Sequence, residues 1–469
     1  MEKNKENEIH IDKSSSSSSD EEEKKEKDKD KNEIENQEEK MEKDNDKNKI
    51  INEEEKNEKD IEKNEIINED EKKSVLDKMK DFFKVSSTKE DNPLKKDENR
   101  EIEEIISSKG FRVQKHFIKT EDGYTLIAFR IPGLKGRLDS SSKPPVLFQH
   151  GIFDSSDGWV CNGEEHSIPF IFAKNNFDVW ISNSRGNKYC KEHEKFDNKS
   201  FEFWQFSFHE MGLYDIPAVI NYINSVNKSG EKIIYFGHSQ GTSLMFSGLT
   251  QKFDFYKKNI KLFVALAPVV RLTHIGKTLN FLSKISIHKL IKKIKIYEMA
   301  PNTKTTNKIM NFMDNYASLL VTSFIDLIAD TNCKECNDRN AMSVYLKHYP
   351  CGCSLKCLIH FIHIIKSKKF IYYDYKDEAN FALYNQAEPP EYDLNVIKDF
   401  PIMLIGGELD KLGTPEDIKW LNSELEKNNN VIYYKILPNM GHLSFMVAKD
   451  FSWFDEPFQI IMNKFNIKK

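Results

Sequence analysis

The run Ile233-Ile234-Tyr235-Phe236-Gly237-His238-Ser239-Gln240-Gly241-Thr242 constrains this chain more than any other stretch of it. Apolar residues of strand character end on a glycine, and Leu244, Met245 and Leu249 continue beyond the second glycine at helical spacing. A strand that passes into a helix with no loop between them forces its apical residue into a strained backbone conformation. Side chains at Gly237 or Gly241 would crowd the neighbouring backbone. Ser239 occupies the apex, its hydroxyl lifted clear of the sheet. The helix that follows points its positive end at the same place, where it favours developing negative charge. The pattern predicts a nucleophilic serine.

A serine hydroxyl at its ordinary pKa is a weak nucleophile and needs a base, itself oriented by a carboxylate. On a strand-turn-helix of this kind the order along the chain is serine, acid, histidine. The strand-like run Pro401-Ile402-Met403-Leu404-Ile405-Gly406-Gly407 ends at Glu408-Leu409-Asp410, which sets Asp410 just past a strand's carboxyl end. Glu408 and Asp417 compete with it for the role. A last strand over 431–437 leads through Pro438-Asn439-Met440-Gly441 to His442, the expected base. His360 and His363 fall on an apolar helical pattern and read as packed residues. The His238 side chain should point away from the chemistry, and His150 reads as structural or positioning. Two backbone N–H donors are needed to hold an oxyanion. They are expected from Gln240, next to the nucleophile, and from the loop Gln149-His150-Gly151-Ile152, where Ile152 is preferred.

The rest of the chain supplies a setting for these residues. Strand-like runs at 113–131 (broken by the turn Glu121-Asp122-Gly123), 146–149, 177–181, 232–236 and 262–267 alternate with helical patterns around Ile102 and over 215–223. That alternation predicts an α/β fold, a mostly parallel sheet flanked by helices. From 270 to 384 helical periodicity takes over (Leu279, Leu282, Ile285; 319–328; 358–365) with no clear strand. The sheet pattern then resumes, so the middle stretch reads as an inserted helical cap. The expected layout is a first core segment at 101–269, a cap or lid at 270–384 and a second core segment at 385–469.

Residues 1–95 differ in kind. They are Lys, Glu, Asp, Asn and Ser with hardly an aromatic before Phe82, too little apolar surface to offset the entropy of ordering them. We expect a disordered, charged, low-complexity leader, with Val75, Leu76, Met79, Phe82 and Phe83 at helical spacing near its end. The net charge of −5 comes from interleaved signs. No basic patch interleaved with aromatics suggests nucleic acid. Met1 is followed by no apolar signal segment, and no apolar run reaches about 18 residues. The expectation is an intracellular chain, cytoplasmic, touching a membrane or lipid droplet at most from one side. Among the seven cysteines, Cys333-Lys-Glu-Cys336 could offer two thiolates to zinc, but Cys351-Gly-Cys353 has the wrong spacing to complete a site. Free thiols are expected instead.

These residues resemble a known family, the acid lipases of animals (gastric and lysosomal types) and the yeast steryl ester hydrolases, within the α/β-hydrolase superfamily. The resemblance spans about 102–465. It rests on Thr120-Glu121-Asp122-Gly123-Tyr124, Gln149-His150-Gly151, Asn183-Ser184-Arg185-Gly186-Asn187, Phe203-Trp204, Phe206-Ser207-Phe208 with Glu210-Met211, Tyr214-Asp215-Ile216-Pro217-Ala218, Ala265-Leu266-Ala267-Pro268 and Gly406-Gly407 with Asp410. It implies the α/β-hydrolase fold and hydrolysis of lipid esters, mainly triacylglycerols and steryl esters, by Ser239, Asp410 and His442, with the N–H groups of Ile152 and Gln240 as oxyanion donors. It implies no metal, no cofactor and no protein partner, only a lipid ester substrate. A lysophospholipase or monoacylglycerol lipase is the alternative within enzymes, and a non-catalytic lipid-binding protein the alternative outside them. The chain departs from the family in its charged leader, in lacking the usual secretory or anchoring segment, and in Leu443-Ser444-Phe445 after His442, where His-Leu-Asp-Phe is expected.

Overall fold

The computed structural model of the protein describes residues 93–136, 139–275, 297–299 and 336–464. Residues 1–92, the helical patterns at 279–285 and 319–328 and Cys333 lie outside the described residues.

The strands are β1 (Gln114–Lys119), β2 (Tyr124–Ile131), β3 (Pro145–Gln149), β4 (Asp178–Ser182), β5 (Glu192–His193), β6 (Ile233–His238) and β7 (Ile260–Leu266). After them come β8 (Glu298–Met299), β9 (Cys353–Ser354), β10 (Ile402–Gly407) and β11 (Val431–Leu437). One sheet runs β1-β2-β4-β3-β6-β7-β10-β11, with β5 added alongside β2, while β8 and β9 form a separate antiparallel pair. Pairing is antiparallel from β1 to β4 and parallel from β4 to β11.

Parallel neighbours cannot be joined by a tight turn and need crossovers. Helix α1 (Ile102–Ser108) precedes the sheet, and α2 (Ile168–Lys174) joins β3 to β4. Helix α3 (Ile216–Val226) leads into β6, and α4 (Gln240–Gln251) with α5 (Phe253–Asn259) joins β6 to β7. Helices α6 (Arg339–His348), α7 (Leu355–Ser367) and α8 (Asp377–Tyr384) fall between β7 and β10. Helix α9 (Pro415–Glu426) joins β10 to β11, and α10 (Asp455–Lys464) follows the last strand. The arrangement is that of an α/β-hydrolase. Every residue of β3, β4, β6 and β10 is buried, as expected of strands covered on both faces, whereas β1 and β11 at the edges are largely open.

The expected strands are found, with small shifts at their ends. The strand before Ser239 continues to His238 because Gly237 and His238 still pair with Ala265 and Leu266 of β7. The expected helix at 215–223 begins at Ile216, after a π-helical turn over Met211–Asp215. Between β7 and β10 the described elements are helices apart from the short β8–β9 pair, and none of them joins the central sheet. The expectation of free thiols holds for Cys161, Cys190, Cys351, Cys353 and Cys357. Cys336 departs from it: this sulfur is disulfide-bonded and so has no thiolate to offer zinc. Among the described residues, no helix is long and apolar enough to cross a membrane.

One buried charge cluster ties the antiparallel end of the sheet to the crossover before β6. Arg185 is 1% exposed, and its guanidinium donates to Asp215 at 2.8 Å and to Asp122 in the β1–β2 turn at 2.8 Å. It also lies 4.0 Å from the centre of the Tyr124 ring. Burial pushes Asp215 up to about 6, against the pull of Arg185. Removing the cation would leave that carboxylate buried without a counter-charge. Arg185→Met should therefore lower the unfolding free energy by about 3–5 kcal/mol in urea titration. A loss below about 1 kcal/mol would contradict this reading of the cluster.

Candidate active site

Ser239 sits between β6 and α4 with φ 54° and ψ −120°, in the left-handed half of backbone space that residues with side chains avoid. Two close approaches hold it there. A Cβ on Gly237 would lie 2.6 Å from the Gly241 carbonyl oxygen, and one on Gly241 would lie 2.5 Å from that of Gln149. The turn therefore needs glycine at both places. The Ser239 N–H donates to the Leu266 carbonyl at 3.0 Å, and Thr242 bridges the Ser239 carbonyl (2.6 Å) and the Val269 N–H (2.9 Å). Tyr235 adds a bond from its hydroxyl to the Gly241 carbonyl at 2.8 Å.

Three side chains from distant parts of the chain meet at this apex. The Ser239 hydroxyl lies 2.8 Å from His442 Nε2, and His442 Nδ1 lies 2.8 Å from Asp410 Oδ2. The other Asp410 oxygen, Oδ1, accepts the backbone N–H groups of Leu412 (2.8 Å) and Gly413 (2.9 Å), which fixes the carboxylate as an acceptor. With Asp410 accepting at Nδ1, that nitrogen carries the imidazole proton and Nε2 is free to accept from the serine. All three residues are buried.

The competing residues are engaged elsewhere. Asp417 accepts the N–H groups of Thr273 and His274 and pairs with Arg271. Glu408 is exposed and accepts the Asn439 N–H. His360 stacks on Phe208 at 4.0 Å between centroids and bonds Ser207 and the Ile371 carbonyl. His363 accepts the Asp374 N–H. His238 turns to the loop of the third side chain, donating from Nε2 to the His442 carbonyl at 2.9 Å. Burial, reinforced by the neighbouring His442, drives its pKa down to about 3.

The loop after β3 runs beside this turn: a Cβ on Gly151 would lie 3.0 Å from that of Ser239, and Ile152 is the next residue. Among the described residues, neither the Ile152 nor the Gln240 N–H finds an acceptor within the protein. His150 braces this loop, donating from Nδ1 to the Gly151 carbonyl at 2.7 Å while Nε2 accepts the Ser184 N–H at 3.0 Å. A peptide is planar, so holding the Gly151 carbonyl also fixes the direction of the Ile152 N–H on the same unit. Burial keeps this imidazole neutral, with its pKa near 4. Asn183 and Asn187 complete the brace through bonds to the Ser156 N–H and to His150. Ser444, standing where a carboxylate is expected, accepts the Gly441 N–H at 2.9 Å and donates to Asn337 at 2.7 Å, tying the histidine loop to the segment before α6.

Residues 102–163 match a model described as a partial alpha/beta-hydrolase lipase region, and residues 144–282 match the alpha/beta hydrolase fold. Human lipase member K is 32% identical over 371 residues, which cover 77% of this chain and 90% of that relative. The chain belongs to the acid-lipase family of α/β-hydrolases. Human lysosomal acid lipase/cholesteryl ester hydrolase is 33% identical over 76% of this chain and 88% of its own length, and human gastric triacylglycerol lipase is 35% identical over 74% and 87%. As a member of this family the chain is a lipase or esterase, a carboxylic ester hydrolase.

Beyond Ile152 the same loop meets the region between β7 and β10. Asp154 accepts the Tyr345 hydroxyl of α6 at 2.9 Å, and Asp157 accepts His348 at 2.9 Å and Lys188 at 2.5 Å. Burial raises Asp154 to about 7. A carboxyl whose pKa is raised on folding holds a proton that the unfolded chain gives up, so its share of stability is lost as pH climbs from about 4 to about 7. Asp154→Asn has no proton to lose. Its urea midpoint should fall less than that of the wild type across this window; parallel curves would contradict the assignment.

Proposed function

We propose that this protein hydrolyses carboxylic esters of neutral lipids, steryl esters and triacylglycerols, through an acyl-enzyme on Ser239. The observation that carries the reading is the unbroken chain from the Ser239 hydroxyl to His442 Nε2 and from His442 Nδ1 to Asp410, each link 2.8 Å. In it, His442 Nε2 takes the hydroxyl proton as Ser239 Oγ bonds to the ester carbonyl carbon. Asp410 keeps its bond to Nδ1 and steadies the imidazolium. The N–H groups of Ile152 and Gln240 receive the negative oxygen, each donor contributing roughly 3–4 kcal/mol to the transition state. His442 then passes its proton to the leaving alcohol. A water attacks the acyl carbon, gives a proton to His442, and the carboxylic acid departs as Ser239 recovers its hydrogen.

The substrate class is supported by the named activities of the relatives, a cholesteryl ester hydrolase and a triacylglycerol lipase among them. The proposed layout is a core of 101–269 and 385–469 behind a charged leader at 1–95, with 270–384 as a cap that shields long acyl chains from water. Desolvating such chains is the favourable part of binding them.

A fluorophosphonate probe should label the wild type on Ser239, and Ser239→Ala should lose both the label and ester turnover. Turnover that persists in the alanine variant would sink the reading. Asp410→Asn, which keeps the shape but frees the imidazole to take the wrong tautomer, should lower kcat by about 10⁴. Of the three imidazoles around Ser239, His150 and His238 are held neutral by burial to about pH 4 and 3. Neither of them should therefore add a proton to the acid limb of kcat/KM above pH 5. A second proton on that limb that disappears in His150→Gln or His238→Gln would contradict this. Comparing steryl ester, triacylglycerol, monoacylglycerol and lysolipid turnover tests the substrate class. Preference for either of the last two would replace it.

A further inference from the structure

Neither of the two free N–H groups beside Ser239 is held in place by its own secondary structure. Gln240 is the first residue of α4, where the N–H groups have no partner in the preceding turn. Ile152 lies in a loop, followed by Phe153 at φ 59°, a conformation that costs energy for an aromatic residue and persists only when its surroundings impose it. What holds them from the other side is one short segment of the region between β7 and β10. The Cys351 N–H donates to the Phe153 carbonyl at 2.6 Å, and the Cys351 thiol lies 3.4 Å from the Ser155 hydroxyl. Six residues later, the Cys357 thiol donates to the Gln240 side-chain oxygen at 2.9 Å, while the Gln240 amide nitrogen lies 3.7 Å from the Met211 sulfur. The segment thus touches the chain next to both candidate donors at once. Cys357 is fully buried, and burial pushes the Cys351 thiol up, so that thiol stays protonated.

We infer that the segment Cys351–Cys357 is a strap that positions the oxyanion pocket, and that the Cys357 thiol is the positioning residue for Gln240. This rests on the reading of Ile152 and Gln240 as oxyanion donors. The Gln240 side chain, gripped between Cys357 and Met211, anchors the first residue of α4 so that its N–H keeps its aim while the carbonyl oxygen gains charge. Preorganised donors act without reorganising during the reaction, and misplacing such a group by about 1 Å can cost on the order of 100-fold in rate. A strap carried by the same segment that would cover an acyl chain also links substrate enclosure to the geometry that stabilises the transition state.

The test uses the full chain and a soluble fatty-acyl ester, with unfolding midpoints measured alongside. Cys357→Val keeps the site apolar, with a slightly larger side chain, and removes the donor. It should lower kcat and the rate of fluorophosphonate labelling by about tenfold with KM nearly unchanged, and Cys357→Ser, which restores a donor, should recover most of both. Gln240→Met removes the same contact from the other partner and should show the same loss, so the question stays open to experiment if Cys357→Val fails to fold. Combined, the two substitutions should cost no more than either alone. Wild-type kcat in both Cys357→Val and Gln240→Met would overturn the inference, as would fully additive losses or a change confined to KM. A wild type with no Ser239-dependent turnover would instead overturn the catalytic reading beneath it.

Discussion

The close crossing of backbone at the Ser239 turn governs the rest of this structure. With a Gly241 Cβ excluded by the Gln149 carbonyl and a Gly237 Cβ excluded by that of Gly241, the end of β3, the end of β6 and the start of α4 are packed at backbone distance. That contact forces Ser239 to φ 54° and sets the loop after β3 alongside the serine. It also demands that β3 and β6 be parallel neighbours in a covered sheet, because both must end at the same edge for their loops to meet. Asp410 and His442 arrive at that edge for the same reason, on the loops after β10 and β11.

Strain of this kind persists only where the surroundings over-determine it. Here they do so with buried polar bonds that each have a defined partner. Leu266 and Thr242 hold the Ser239 backbone, His150 with Asn183 and Asn187 holds the loop after β3, and Arg185 with Asp122 and Asp215 fastens the segment that carries those asparagines. Such a network is costly when any member is lost, since the partner left behind is buried and unsatisfied. The family motif Asn183-Ser184-Arg185-Gly186-Asn187 therefore acts as scaffolding for the active-site loop. None of its side chains bonds to the Ser239 hydroxyl among the described residues.

Much of this was legible in the sequence, for physical reasons that can be named. That Ser239, Asp410 and His442 come together was readable because each follows a short apolar strand at a glycine-marked turn, and local punctuation of that sort survives any tertiary context. The hairpin at Glu121-Asp122-Gly123 was readable on the same ground. Contacts between distant side chains were not. Nothing near Cys357 signals that its thiol meets Gln240, 117 residues away, or that Ser444 replaces a carboxylate by bonding Asn337. Cys336 looked like its neighbours and is nonetheless disulfide-bonded. Strand ends moved by a residue or two because pairing across the sheet, which periodicity does not encode, decides where a strand stops.

If the strained serine at this crossing becomes covalently acylated, the acyl group can be trapped on it. The wild type would be mixed with a long-chain acyl ester, quenched in acid within one turnover, digested and mapped by mass. The account requires the acyl mass on the peptide that contains Ser239, formed with release of one equivalent of alcohol. Acyl mass on any other residue, or alcohol released with no acylated peptide at all, would contradict it.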